Sequence, residues 1–362
     1  MYWQNFRVHK RLSLNSQVIE EVYANISEID GVKNSWKITD RLLPQTIERL
    51  TRSVIVTSTG SSNRIEGNCL TDMEIENLYK NLRVKKFKTR DEQEIAGYLQ
   101  CLELIFTKYK DIPINESFIL KLHNDMLTHS EKDTYHKGGY KFGSNRVEAK
   151  DLSGNVVGVI FDPTPPYLVK KEMQELIDWY NWAIGEKVKH PLIIIANFIF
   201  EYLAIHPFQD GNGRTSRLLT NLMLLQQGYL FSRIVSHERS IEFNKIDYYL
   251  ALNKTQSTWK TEIEDITPWL LFFLRIIKTQ SDQALKIIEG DNIEYLLSEK
   301  QLILWNWINK RALEFSRKDA VSELGFPGRT VESIIKKLVE LKRLDRIGQG
   351  KATRYRLSMK EY

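Results

Sequence analysis

The chain has 362 residues, of which 42% are hydrophobic and 27% are charged, and its formal net charge is +6. This composition is typical of a folded globular protein and excludes an intrinsically disordered chain. The sequence contains no run of about 18 apolar residues, and its two cysteines, Cys69 and Cys101, lack the spacing of a metal site or a disulfide framework. We therefore expect a soluble, cytoplasmic protein with no membrane segment, long enough for one large and one small domain.

The first 95 residues alternate helical patterns with short breaks, which predicts an N-terminal helical region over 1–95. Its most informative stretch is Ser61-Ser-Asn-Arg-Ile-Glu-Gly-Asn68, in which Ser62 and Glu66 are four apart and share one helical face. The closing Gly-Asn is a helix stop. The pattern predicts a short helix at about 57–67 that carries one exposed carboxylate. Taken alone, it also fits an ordinary surface glutamate with serine caps.

Residues from about 96 to 190 predict two helices and then a β-hairpin. Two short alternating segments, Val-Glu-Ala-Lys from Val147 and Val-Val-Gly-Val-Ile-Phe from Val156, flank a Ser153-Gly-Asn155 turn. Prolines then end the second strand, and an amphipathic helix is expected at Val169–Ile184. A lone hairpin in a helical chain either has only a structural role or uses its open edge to bind another segment.

The chemistry-bearing stretch is His206-Pro-Phe-Gln-Asp-Gly-Asn-Gly-Arg-Thr-Ser-Arg217, which follows a predicted buried helix at Pro191–Ile205. Gly211-Asn-Gly213 lets backbone N–H groups surround an anion, and the next helix directs its N-terminal dipole at the same anion. Arg214 and Arg217 are three apart, so they share a face on which two guanidinium groups suit a row of phosphates.

Two further residues of this stretch carry reactive side chains. Asp210 is a hard oxygen ligand placed where a Mg²⁺ ion that bridges phosphates would lie. His206 has a near-neutral pKa in its ordinary state, which suits it to accept a proton from an attacking hydroxyl. The sequence therefore predicts a phosphate site with a metal ligand and a general base.

The stretch resembles the signature of the Fic (Fic/Doc) family, H-x-F-x-[D/E]-G-N-G-R-x-x-R, and every specified position is present. The resemblance implies a mainly α enzyme with a Fic helical core over 96–285, which transfers AMP from ATP to a hydroxyl side chain of a target protein and releases pyrophosphate. It makes His206 the general base and Asp210 the Mg²⁺ ligand. The nucleotide-binding residues that it implies are Gly211, Asn212, Gly213, Arg214, Thr215, Ser216 and Arg217.

Ser62, Glu66 and Gly67 resemble the family's inhibitory motif, [S/T]-x-x-x-E-[G/N]. In the family this glutamate pairs with the second arginine of the signature, here Arg217, so that ATP binds with its α-phosphate poorly placed for attack. The resemblance thus predicts autoinhibition by Glu66. It also allows the reverse reaction, in which Glu66 aligns a water molecule that removes AMP.

Three other features follow from the resemblance. The hairpin is similar to the family's small β-hairpin flap, whose open edge binds the target, although Lys141 stands where many members have Arg. Tyr248-Tyr249 begins a helical segment predicted to end near Leu274, and Tyr249 is either an adenine-side contact or a core aromatic. ATP rests on the resemblance alone, since no residue distinguishes adenine from uracil.

The last segment, 295–362, differs in charge from the rest of the chain. Residues 300–362 contain 15 Lys+Arg and 7 Asp+Glu, a net charge of +8, whereas the whole chain has +6. The pattern predicts a C-terminal winged helix-turn-helix domain with basic residues on its wing. The predicted helices are Gln301–Lys310, Arg317–Leu324 and Thr330–Lys342, the strands are Leu344–Ile347 and Thr353–Leu357, and the wing residues are Lys351, Arg354 and Arg356.

Such a domain serves either DNA binding or protein interaction, and the acidic Glu332 and Glu340 on its third helix leave both open. The sequence therefore supports two functions of different classes. One is an autoinhibited protein adenylyltransferase that uses MgATP and modifies a Ser, Thr or Tyr hydroxyl of a target protein or of itself. The sequence leaves its oligomeric state open, and a homodimer that buries the inhibitory helix is one of the arrangements it allows. The other is a DNA-binding regulator whose Fic core only senses nucleotide.

Overall fold

The computed structural model describes residues 3–35, 44–82, 87–145, 147–150, 156–289, 297–310, 314–340, 343–348, 350 and 353–358. Within these residues the chain forms fifteen α-helices and four short strands, so the predicted mainly α fold class is confirmed. The helices are α1 Arg7–Lys10, α2 Ser16–Ser35, α3 Pro44–Ile65, α4 Asp72–Lys80, α5 Arg90–Lys108, α6 Glu116–Met126, α7 Pro166–Gly185, α8 Pro191–Ile205, α9 Asn212–Gln226, α10 His237–Phe243, α11 Lys245–Gln256, α12 Thr267–Glu289, α13 Glu299–Asn309, α14 Arg317–Leu324 and α15 Gly328–Glu340. The strands are β1 Val147–Lys150, β2 Val156–Phe161, β3 Leu344–Ile347 and β4 Arg354–Leu357.

The chain divides into two compact units. The first comprises Met1–Ile38 and Arg49–Leu285, and the second comprises Thr39–Glu48 and Lys286–Tyr362. The predicted domain limits at 95, 285 and 295 stay predictions. None of the described helices is both long and apolar enough to cross a membrane.

Helix α8 is the centre of the first unit, as its apolar sequence predicts. Every residue from Leu192 to Ile205 is buried, and α7 and α9 pack against it. Its two polar residues are satisfied rather than exposed: Arg11 donates from Nε to Oδ1 of Asn197 at 2.6 Å and from Nη1 to Oε2 of Glu201 at 2.5 Å. The loop that follows α8 therefore begins at the end of a buried, close-packed helix.

Helix α3 is longer than the sequence predicts. A short helix at about 57–67 was expected, but the helix begins at Pro44 and ends at Ile65, because Gly60 is tolerated within it and no further proline interrupts it. Gly67 acts as the predicted stop, with φ of +98°, and Asn68 donates its N–H to the carbonyl of Asn63. Glu66 therefore lies just beyond the last helical residue.

The predicted hairpin is confirmed as an antiparallel pair, with β1 and β2 at the two expected segments. The expected turn at 153–155 lies outside the described residues. A second expectation was wrong: the segment from Tyr248 is not one helix ending near Leu274. It comprises α11 and then α12, because Thr267-Pro268 starts a new helix that continues to Glu289.

In the described residues from 297 onwards, the second unit has three helices, α13 to α15, followed by a two-stranded antiparallel sheet, β3 with β4. Its apolar core includes Leu304, Phe315 and Ile335, and Phe315 exchanges two backbone hydrogen bonds with Tyr355 of β4. Helix α15 begins two residues before the predicted third helix, while 341–342 and the predicted wing residue Lys351 lie outside the described part. The order of elements agrees with the sequence pattern, and its interpretation as a winged helix-turn-helix stays a prediction.

Candidate active site

The start of α9 is a glycine-led turn with a backbone conformation that L side chains rarely adopt. Gly211 has φ of +82°, and a Cβ at this position would lie 2.8 Å from Cε of Met126. Asn212 closes the turn, since its Nδ2 donates to the carbonyl of Phe208 at 2.7 Å and its Oδ1 accepts the Phe208 N–H at 2.9 Å. The first N–H groups of α9 are thereby presented at a helix N-terminus, where negative charge is stabilised.

His206 directly follows α8 in a left-handed conformation, with φ of 54° and ψ of 61°. Its Nδ1 lies 3.2 Å from the carbonyl of Leu203, which favours the tautomer with the proton on Nδ1 and leaves Nε2 as the acceptor. Burial lowers the pKa of His206 to about 4; the Leu203 hydrogen bond opposes this effect and the charge of Lys141 adds to it. His206 is therefore neutral at physiological pH, as a general base must be.

Arg217 is buried and already holds a carboxylate. Its Nη2 donates to Oε1 of Glu66 at 2.6 Å, while its Nε donates to Oγ of Ser62 at 2.8 Å and Nη2 also reaches the Ser62 carbonyl at 3.0 Å. Burial raises the pKa of Glu66, but the Arg217 charge outweighs this effect and the net pKa is lowered. The carboxylate of Glu66 is ionised and lies so close to Gly213 that a Cβ there would collide with it.

Arg214 is equally buried but less fully bonded. Its Nη2 lies 3.3 Å from Oδ1 of Asp210 and its Nη1 lies 3.3 Å from Oε2 of Glu94, while Nε and Nη1 make no hydrogen bond. Nη1 of Arg217 is likewise buried without a hydrogen-bond partner. Buried donors of this kind are costly unless a ligand satisfies them.

Asp210 is the one predicted metal ligand, and its surroundings suit a site of few protein ligands. Oδ1 accepts the Gly211 N–H at 2.6 Å, and Oδ2 lies 3.7 Å from Nη2 of Arg90. Burial raises the pKa of Asp210, but Arg214 and the Gly211 N–H outweigh it, so the carboxylate is ionised. The described residues contain no cluster of three or more His, Cys, Asp and Glu that would hold a metal by protein ligands alone.

A cavity of about 600 Å³ opens beside His206. It is lined by Glu66, His206 and Gly213 on one side and by α11 residues that include Tyr248 and Tyr249 on the other. Tyr248 is buried and its ring packs at 5.8 Å from that of Trp269, whereas Tyr249 is 46% exposed. Both tyrosines face the cavity, so the predicted contact by Tyr249 stays a prediction and Tyr248 joins it as a wall residue.

The structure brings most of the predicted residues together, but the side chains of Thr215 and Ser216 are engaged elsewhere. The hydroxyl of Thr215 donates to the Gly211 carbonyl at 2.9 Å, and that of Ser216 donates to the Gly213 carbonyl at 2.7 Å. Both side chains therefore bond to their own helix, and these contacts give no support to their predicted role in nucleotide binding.

The sequence analysis missed several residues that hold the site. His123 stacks on Phe208 with ring centroids 3.7 Å apart, and its Nε2 lies 3.0 Å from the Asp210 carbonyl. Glu94 faces Arg214, and Asn145 donates to backbone carbonyls of the loop after α8. No local pattern distinguishes these residues, since each acts on a segment that is far away in sequence.

The fold is that of a mainly α protein in which α9 begins at a glycine-led turn and carries two buried arginines, Arg214 and Arg217. Residues 113–224 match the Fic/DOC family, and the chain therefore contains a Fic/DOC family domain. Glu66, Ser62 and the two cavity tyrosines lie outside this matched range.

Curated relatives are named as protein adenylyltransferases. The chain is 28% identical over 229 residues to protein adenylyltransferase Fic of Nematostella vectensis, covering 62% of this chain and 47% of the relative. It is 32% identical over 178 residues to that of Drosophila willistoni, covering 49% and 33%. The chain thus spans less than half the length of these relatives.

Solved structures share the fold. A Fic family protein from Desulfovibrio desulfuricans gives a TM-score of 0.65 at 23% identity, covering 97% of this chain and 98% of that one. A Fic domain containing signaling protein from Bacteroides thetaiotaomicron gives a TM-score of 0.58 at 24% identity, covering 74% and 98%.

Proposed function

We propose that this chain is a protein adenylyltransferase, which transfers AMP from MgATP to a hydroxyl group of a protein and is restrained by its own Glu66. The observation that carries the proposal is the contact between Arg217 and the Glu66 carboxylate at the N-terminus of α9. A guanidinium and a helix N-terminus are both phosphate-binding features, and here a protein anion lies between them.

The proposed reaction begins at His206. Its Nε2 accepts the proton of the attacking hydroxyl, whose oxygen forms a bond to the α-phosphorus of ATP. The bond from that phosphorus to the bridging oxygen breaks, and pyrophosphate leaves. Arg214 and Arg217 have buried donors free for the leaving phosphates. As in other phosphoryl-type transfers, positioning and charge neutralisation supply most of the catalysis.

Asp210 fits Mg²⁺ as a single carboxylate ligand, because Mg²⁺ usually takes one or two carboxylates and completes its shell with substrate oxygens and water. When bound, the ion would neutralise phosphate charge. The β1–β2 hairpin is proposed to receive the target segment as an added strand, which would set its hydroxyl beside His206.

Restraint by Glu66 follows from competition for Arg217. The carboxylate accepts from Nη2 of Arg217, so the γ-phosphate of ATP must displace it or bind elsewhere. A displaced triphosphate places the α-phosphorus out of line with the hydroxyl, and transfer is slow. Removal of Glu66 therefore activates the enzyme. The same carboxylate, close to the cavity, is proposed to align water for removal of AMP.

The fate of the phosphates tests this proposal. The Glu66→Gly chain is incubated with Mg²⁺ and with ATP that carries the label at either the α- or the γ-phosphorus, and protein-bound label is measured. The proposal predicts retention of the α-label only, with release of pyrophosphate. Retention of the γ-label would instead indicate a kinase, and retention of neither would exclude transfer of AMP to the chain itself.

A second candidate function belongs to the C-terminal unit, for which we propose DNA binding by a winged helix. The observation that favours it is the exposure of Arg354 and Arg356 on β4 and of Arg329 on α15. Binding of duplex DNA to the full chain should weaken steeply between low and physiological salt, and Arg354→Ala/Arg356→Ala should weaken it further. A Lys310→Ala/Lys318→Ala control removes two exposed charges of the same unit. Equal loss in both variants, or no binding, would contradict specific use of β4.

A further inference from the structure

The backbone of the loop that carries His206 is held from one neighbouring segment. Lys141 donates from its backbone N–H to the Pro207 carbonyl at 2.9 Å and from Nζ to the Ile205 carbonyl at 3.2 Å. Asn145 donates from Nδ2 to the His206 carbonyl at 3.1 Å and to the Phe208 carbonyl at 2.7 Å. Four consecutive carbonyls, 205 to 208, thus accept hydrogen bonds from two residues.

These contacts act where the backbone needs support. His206 is one of the few described non-glycine residues with positive φ. Because Cβ crowds the backbone in that region, the left-handed conformation costs about 1 kcal/mol or more and persists only when surrounding contacts hold it. The conformation turns the chain sharply at the end of α8, between the buried helix and the glycine-led start of α9.

Lys141 is itself an unusual residue at this position. It is 3% exposed, and its Nζ donates to the Ile205 carbonyl and, at 2.6 Å, to Oδ1 of Asn145. The ammonium therefore lies at the C-terminal end of α8, where the carbonyls carry partial negative charge. Its hydrogen bond to Oδ1 of Asn145 also orients the Asn145 amide, whose Nδ2 donates to the loop carbonyls.

We propose that Lys141, together with Asn145, is a positioning residue that fixes the left-handed backbone and the Nδ1–H tautomer of His206, so that Nε2 stays directed at the reacting hydroxyl. This inference rests on the proposed function for its catalytic consequence, but its structural content does not. Lys141 is not among the residues that line the cavity beside His206, and we infer that it acts through the loop that carries the base.

The charges around Lys141 define how pH should reveal this role. Burial lowers the pKa of Lys141 to about 8, while Asp162 after β2 and Glu172 on α7 raise it and Lys260 after α11 lowers it. Lys141 is thus charged below about pH 8 and loses its charge as the pH rises through that value. His206 is faced by Glu66 and Asp210, which raise its pKa, and by Lys141, which lowers it.

The test compares Lys141→Met, Lys141→Arg and Asn145→Ala, each in the Glu66→Gly chain, with Lys170→Met as a control for loss of an exposed lysine on α7. The readouts are kcat for AMP transfer, the affinity for MgATP, and the pKa and tautomer of His206 from NMR of ¹⁵N-labelled histidine. We expect Lys141→Met and Asn145→Ala to lower kcat by about 10- to 100-fold, the size of effect that a misplaced catalytic group causes. MgATP affinity should stay within about twofold, because the contacts of Arg214 and Arg217 are unchanged.

The pH profile separates positioning by charge from simple packing. With Lys141 present, activity should fall above about pH 8; in Lys141→Arg the fall should move to higher pH, because an arginine stays charged. In Lys141→Met the pKa of His206 should rise, since a nearby positive charge is gone, and the acid limb should move to higher pH.

Three outcomes would overturn the inference: parental kcat and His206 tautomer in both Lys141→Met and Asn145→Ala, parallel loss of kcat and MgATP affinity, or equal effects in Lys170→Met. If the Glu66→Gly parent itself transfers no AMP, the proposed function fails. The NMR readout then still decides whether Lys141 sets the state of His206. A Lys141→Met chain that does not fold leaves Asn145→Ala to decide the same question.

Discussion

The loop at residues 205–210 leads into α9 and Arg217 lies in the second turn of that helix, yet the loop and the Arg217 guanidinium are held by different kinds of contact. The loop is fixed by neutral acceptors, namely its own carbonyls, which bond to Lys141, Asn145 and His123. Arg217 is held by an ionised carboxylate, Glu66, which follows a separate helix. No anion has to leave for the loop to keep its contacts, whereas under the proposed function a phosphate of ATP would replace the Glu66 carboxylate at Arg217. Under the proposed function, the backbone that carries the base His206 is therefore fixed, while the partner of Arg217 is replaceable.

The largest expected effect comes from removal of His206, which the fixed loop carries. His206→Ala in the Glu66→Gly chain should lower transfer by a factor of about 10²–10⁴, the usual contribution of a positioned general base. MgATP affinity should change little, because His206 makes no phosphate contact in this scheme. Transfer rates and a nucleotide-binding titration check both points. Unchanged transfer would favour the alternative of a core that only senses nucleotide.

The next largest effect is expected from removal of an arginine that is proposed to bind the phosphates. Arg214→Ala in the same chain should weaken MgATP binding about 10- to 100-fold, because a charge-assisted hydrogen bond contributes about 1.5–3 kcal/mol and each 1.4 kcal/mol is tenfold in affinity. Arg275→Ala, which removes an exposed arginine, is the matched control and should leave binding unchanged. An equal affinity in both variants would show that Arg214 does not contact the phosphates.

The smallest effect is expected from a substitution on α3, the helix that precedes Glu66. Arg64 on α3 donates from Nε to Oε1 of Glu242 at 2.6 Å and lies 3.0 Å from Asp72. Because these pairs are partly exposed, they contribute about 1 kcal/mol or less. Arg64→Met should therefore raise automodification of the otherwise unchanged chain about two- to fivefold, measured as label incorporated from α-labelled ATP.

Arg52→Met on the same helix is the control for this variant, since Arg52 is exposed and its guanidinium lies over the ring of Tyr79, 5.2 Å from the ring centroid. Activation by both variants alike would mean that general loosening of α3, and not the Arg64 pair, is responsible.

Much of the candidate site could be predicted from local sequence, because most of its reactive side chains lie in one stretch. The order of glycines and arginines in 206–217 predicted the helix start, and the spacing of Ser62 and Glu66 predicted a presented carboxylate. The length of α3 could not be read correctly, since helix-compatible residues continue far before Ser62 without a break.

The residues that hold the loop could not be predicted from the sequence. Lys141 stood out only as a departure from the family pattern, and Asn145 and His123 carry no pattern at all. Each bonds to backbone carbonyls more than sixty positions away, so their role depends on tertiary packing that periodicity does not encode.

The most direct test of the central claim, that Glu66 restrains a working transferase, is the intact mass of three chains after incubation with MgATP. The chains are the unchanged protein, Glu66→Gly, and Glu66→Gly/His206→Ala. The account predicts a gain of one AMP in the Glu66→Gly chain alone. An equal gain in the unchanged protein would contradict restraint by Glu66, a gain in the double variant would contradict His206 as the base, and no gain in Glu66→Gly would contradict the transferase itself.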